Sequence, residues 1–168
     1  DQGHLYTVDV TSGALQPVGQ GAFAAPLPQG RIGFDFNPAA DRIRIVGEDA
    51  RNLRAHPESG ALVDFQPDQD GLQPDGTLRY AEGDAGAGRA PAIIAAAYSY
   101  NQQDEKLTTN YAIDAASGTL VMQGSLEGAA PVVSPNTGLL TTLGALGTGP
   151  LKDAHFDISD VSNTALAA

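Results

Sequence analysis

The sequence predicts an all-β fold built from a repeated four-stranded antiparallel unit, and three observations predict it. Apolar and polar residues alternate with period two over most of the chain, which is the strand signature. The 20 Gly and 11 Pro fall at intervals between the apolar runs and so mark turns. Two kinds of hairpin recur in order along the chain, at a spacing and strand count that match propeller blades.

Taken in order, residues 5–19 (LYTVDVTSGALQPVG) alternate, turn at Thr11-Ser12-Gly13 and resume at Leu15. Gly at the turn supplies a positive φ. This Gly-x-Leu pattern recurs at Gly60/Leu62, Gly118/Leu120 and Gly138/Leu140. The second kind of hairpin is Gly33–Val46, GFDFNPAADRIRIV, two alternating arms around a stiff Asn37-Pro38 turn. It is repeated at 95–113, where Tyr98 and Tyr100 stand in place of Phe34 and Phe36, and again as FDISDVSNTALA from Phe156 to Ala167. Gly13, Gly60 and Gly118 lie 47 and 58 residues apart. The longer interval holds a Gly/Asp/Pro-rich insert, 64–91, with one short strand expected at Thr77–Tyr80. Ala92–Ala97 reads as a buried strand, because Pro91 and Ile93-Ile94 suit a strand as well as a helix.

The expected organisation is a single β-repeat domain over 1–168: a half-unit 1–19, a unit 30–63, the insert 64–91, a unit 92–146 and a half-unit 154–168. That amounts to about three blades, below the number that closes a propeller, so an incomplete, open fan is expected. Its open ends would expose unpaired backbone groups.

Composition excludes several classes. A net charge of −11 offers no basic surplus for phosphate backbones or anionic membranes. The absence of Cys removes disulfides, thiolate metal sites and Cys nucleophiles. His4, His56 and His155 show no zinc spacing, and no G-x-S-x-G elbow is present. EGDAGAGRA lacks the Lys-Ser/Thr ending of a phosphate loop. Asp68, Asp70 and Asp75 in PDQDGLQPDG resemble part of a calcium loop, since a hard cation needs oxygens converging on a tight turn. The closing Glu of that loop is missing, so a solvated acidic turn is favoured and no cofactor is expected. Arg42, Arg44, Arg51 and Arg54 are expected to pair with Asp35, Asp41, Glu48 or Asp49. Tyr98, Tyr100 and Tyr111 read as sheet packing ahead of a sugar-stacking platform.

Several long motifs occur in order: GFDFNPAADRIRIV, NLR at 52–54, DGTLRYAEGDAGAGRAP at 75–91 and AAAYSYN at 95–101. Together they resemble the central signature of the bacterial domain-of-unknown-function family 4394. The resemblance implies a secreted, propeller-like β domain and brings no catalytic residues. The family pattern runs past both ends of this sequence, so its outer flanks are expected to be absent.

The two half-units are complementary, because FDISDVSNTALA is the hairpin that precedes LYTVDVTSGAL in the repeat. They could join between chains or within one chain, or the sequence could be a fragment of a longer protein. The function expected is a non-catalytic extracellular or cell-surface subunit that assembles head to tail with copies of itself, by strand complementation, into a fibre or pilus-like filament. The expected interface is Leu5, Tyr6, Val8, Val10, Leu15, Phe156, Ile158, Val161 and Leu166. The alternative is a monomeric secreted module that binds glycans or another surface ligand.

Overall fold

The computed structural model describes residues 3–168; the first two residues of the expected half-unit 1–19 lie outside them. The described residues form β-strands and one 3₁₀ turn, Pro135–Thr137, with no α-helix. The strands are β1 (Leu5–Val8), β2 (Leu15–Val18), β3 (Ile32–Asn37), β4 (Arg42–Gly47), β5 (Asn52–Ala55), β6 (Arg79–Tyr80), β7 (Ile93–Tyr98), β8 (Asn110–Asp114), β9 (Thr119–Gln123), β10 (Leu139–Ala145), β11 (Phe156–Ile158) and β12 (Ala165–Ala167). They make four sheets: β1-β2, β3-β4-β5, β6-β10-β9-β8-β7 and β11-β12. All pairings are antiparallel except β6 with β10, which is parallel.

One turn chemistry closes most of the hairpins. The first residue accepts backbone N–H groups on its side chain, and the last takes positive φ. Asp9 Oδ1 accepts from Thr11 and Ser12, and Gly13 has φ 74°. Asn37 Oδ1 accepts from Ala39 and Ala40, and Asp41 has φ 49°. Asp114 does the same ahead of Gly118, and Ser159 ahead of Asn163. The Gly-x-Leu match at Gly138 differs. Gly138 ends the 3₁₀ turn in front of β10, so residues 132–143 are not a hairpin.

The unit at 92–146 contains four antiparallel strands, β7 to β10. In the unit at 30–63 the fourth strand shrinks to one bridge, Ala55 to Leu62. The insert contributes only β6, shorter than the expected Thr77–Tyr80, added to the outer edge of β10.

The sheets stack in chain order. Leu5 of β1 packs on Ile43, Ile45, Leu53 and Ala55 of the second sheet. The other face of that sheet packs through Val46 on Ile93, Ala96, Ala112, Val121 and Leu140 of the third. Here β3 runs so close to β7 that a Cβ on Gly33 would lie 2.6 Å from the Ala96 nitrogen. The far face of the third sheet, through Ala95 and Ile113, receives Phe156 of β11. Alternation explains the arrangement: Ala112 and Ile113 are neighbours on β8 yet belong to opposite cores.

Candidate functional site

The first and last sheets are two-stranded hairpins, and each has one face inside and one outside. In β1-β2 the register pairs Leu5 with Val18, Tyr6 with Pro17 and Val8 with Leu15. Period two then sets Tyr6, Val8, Leu15 and Pro17 on the face opposite Leu5. Val8 and Leu15 on that face are exposed, as is Val10 in the turn beyond (96%). In β11-β12, Phe156 and Ile158 face inward and Ile158 is buried, while Asp157 and its partner Leu166 face outward. Leu166 is 71% exposed, and Val161 in the turn is exposed as well.

The structure thus divides the expected interface set. Val8, Val10, Leu15, Val161 and Leu166 present apolar surface to solvent. Ile158 is buried, and Leu5 and Phe156 are partly buried against the chain's own cores. Tyr6 is intermediate, with its ring tilted against that of His4 at 6.2 Å.

Two further apolar surfaces escaped sequence reading. Ile32, Phe34 and Phe36 on β3 are exposed at the inner end of the face that Leu5 covers farther out, and the two Phe rings meet edge to face. A groove of about 370 Å³ runs between β11-β12 and the third sheet, lined by Tyr111, Leu120, Leu126, Phe156, Ile158 and Asn163 among others. The signal for Phe34 and Phe36 was present in their match to Phe156 and Ile158. Period two alone cannot tell which copy of a repeated strand lacks a neighbour.

Polar groups tie the inner strands together. Asp35 accepts the Phe36 N–H at 2.8 Å and the Tyr98 N–H of β7 at 2.7 Å. Burial pushes its carboxyl up, the two N–H groups oppose this, and the charge of Asp157 pushes it up further. Tyr100 is raised by burial and by Asp35, Asp160 and Asp157. Asn163 Oδ1 accepts the Tyr100 N–H at 2.7 Å, its amide donates back to the Tyr100 carbonyl, and Gln102 donates to the Asp160 carbonyl. These bonds hold the last hairpin in place.

The arginines and acidic residues correct the expected pairings. Arg44 is fully buried between the second and third sheets, where its guanidinium reaches Asp75 (2.6 Å), Asn52 (2.7 Å), Asn136 (2.7 Å) and the Tyr98 hydroxyl (3.1 Å). Arg54 forms two bonds to the same Asp75. Arg51 pairs with Asp49 as expected, Arg42 donates to the carbonyls of Ala40 and Asp41, and Glu48 pairs with Arg31. Asp75 is buried in this clasp while Asp68 and Asp70 are exposed, so the three are not one calcium loop. Among the described residues no group of three His, Asp or Glu could hold a metal ion. Tyr98 is buried, which removes it from any stacking platform.

A family model described as Domain of unknown function (DUF4394) matches residues 1–168. No curated protein matches the chain, and no solved structure does. The chain belongs to the DUF4394 family.

Proposed function

We propose that this protein is a non-catalytic, extracellular structural subunit that polymerises head to tail by strand complementation into a fibre or pilus-like filament. The observation that carries the reading is the match between the surfaces left open on the two terminal hairpins. The second sheet supplies the template, with β3-β4 followed by β5 and its one bridge to Leu62. Hairpin β11-β12 corresponds to β3-β4, and β1-β2, with its Gly-x-Leu turn, to β5 and Leu62. Setting β12 of one copy against β1 of the next completes a propeller-like four-stranded unit through main-chain hydrogen bonds.

The side chains fit that placement. The outward face of β1-β2, with Tyr6, Val8 and Leu15, would settle into the groove beside Tyr111 and Leu120 of the preceding copy. Leu166 would cover Phe34 and Phe36 of the following copy. The contact is heterologous, joining different patches, and so propagates along an axis unless the rotation closes a ring. Burying Val8 and Leu15 contributes roughly 1.5–3 kcal/mol each by transfer from water.

The test is a Val8→Asp/Leu15→Glu double variant, followed by sedimentation and negative-stain microscopy. Wild-type protein is expected to form uniform filaments and the variant to stay monomeric with an unchanged melting curve. Wild-type protein that remains discrete particles at high concentration would refute the reading.

A second reading, a monomeric glycan-binding module, is favoured by one observation. A cavity of about 290 Å³ at the β7–β8 end is lined by Asn37, Lys106, Asn110, Gln123 and Glu127 among others. Asn110 is buried there, and its Oδ1 has no hydrogen-bond donor. A sugar hydroxyl could supply one. Glycan-array binding that is lost in Asn110→Leu tests it.

A further inference from the structure

The inner strands of the second and last sheets share one local device, and only one of the two devices is complete. Phe34-Asp35-Phe36 and Phe156-Asp157-Ile158 occupy matching positions of the repeated hairpin. Asp35 uses Oδ1 to accept the N–H of the next residue, Phe36, at 2.8 Å. Its Oδ2 then crosses to the next sheet and accepts the N–H of Tyr98, the residue matching Phe34, at 2.7 Å. Asp157 makes the first of these bonds, from the Ile158 N–H to Oδ1 at 2.9 Å. Its Oδ2 receives no donor among the described residues, and the side chain is exposed. Asp157 therefore has the geometry of a brace with its far end unattached.

The matching donor also exists on this chain. In an antiparallel pair, alternate N–H groups of a strand point toward and away from the partner strand. The Phe36 N–H points away from β4, since Asp35 Oδ1 takes it. Period two then directs the Phe34 N–H to the same free edge of β3. No side chain accepts it among the described residues. Its own ring and that of Phe36 are exposed beside it.

We infer that Asp157 of one copy braces the following copy by accepting the Phe34 N–H of its β3, as Asp35 accepts the Tyr98 N–H within one chain. This deepens the head-to-tail reading and rests on it. The occupant of the exposed β3 face is thereby a second copy of this chain. Leu166, paired with Asp157 across β11-β12, would lie over Phe34 and Phe36. The bond would join an ionised acceptor to a backbone donor in a site that the aromatic rings shield from water, the setting in which such bonds are strongest.

The experiment compares full-length wild type with Asp157→Ala, measuring critical concentration by sedimentation and thermal unfolding by circular dichroism. Asp157 is exposed, so its replacement should leave the unfolding midpoint of the monomer in place. The critical concentration should rise about ten- to hundredfold, the factor that a charge-assisted hydrogen bond is worth. The variant keeps intact β1 and β3 surfaces, so it should add to the Asp157 end of a wild-type filament and then block growth. Added at substoichiometric amounts, it should therefore shorten wild-type filaments. An Asp157→Ala protein that assembles at the wild-type critical concentration overturns the brace and leaves head-to-tail assembly standing. A wild type that never assembles overturns both.

Discussion

Replacing Asp75 by Asn removes the single negative charge that two arginines share inside the protein. Asp75 accepts from Arg44 Nη1 at 2.6 Å, Arg54 Nε at 2.7 Å and Arg54 Nη2 at 2.8 Å. The side chains of Asp75 and Arg44 are both 0% exposed, so water cannot replace what is lost. An Asn has the same shape but only one acceptor oxygen, and its NH₂ group would face a guanidinium. Breaking a buried pair from one side costs about 3–5 kcal/mol, because the remaining charge stays buried without its counterion. For a chain of this size that corresponds to a drop in melting temperature of roughly 10 °C. The assay is urea unfolding followed by fluorescence or circular dichroism, with the shift in midpoint read at constant m-value. A loss below about 1 kcal/mol, the range of an exposed pair, would refute the claim that the clasp is dry. The Arg44→Met/Asp75→Leu double variant should recover much of the loss, since apolar replacement of a whole buried pair is often neutral.

Two further outcomes follow from the same geometry. Gly33→Ala forces a methyl group to within 2.6 Å of the Ala96 nitrogen and 2.8 Å of the Ala95 carbonyl carbon. Overpacking of backbone against backbone should cost about 1–3 kcal/mol, read as a lower denaturation midpoint; an unchanged midpoint would show that the two sheets slide freely. Asp35 has its carboxyl raised above the usual 3.8, chiefly by burial, so the folded state holds its proton more tightly than the unfolded chain does. Its contribution is then fully present below about pH 3.8 and is lost as pH rises through the raised value. Stability of wild type relative to Asp35→Asn should fall over that window and level off above it, and a difference that rises with pH would contradict the sign.

Much of the architecture was legible because it rests on local chemistry. The turns at Asp9, Asn37, Asp114 and Ser159 combine a side-chain acceptor with a residue that tolerates positive φ, and both are written in the residue types. The exception, Gly138, carries the same Gly-x-Leu pattern. There Pro135 at the start of a 3₁₀ turn changes what the glycine terminates.

Residue order alone determined that this chain is all-β and that one kind of hairpin turn recurs along it. It also marked Val8, Val10, Leu15, Val161 and Leu166 as apolar positions in the first and last hairpins. Which apolar residues face out was decided only by stacking. Leu5 and Ile158 have the same alternation as Val8 and Leu166, but Leu5 packs on the core of the second sheet and Ile158 is buried. Arg44 shows the same division. Its neighbours in sequence offered Asp41, Glu48 and Asp49, yet its partner is Asp75, 31 residues away, because the insert folds back between two sheets. Period two assigns a side chain to a face; only the neighbouring sheet determines whether that face is wet.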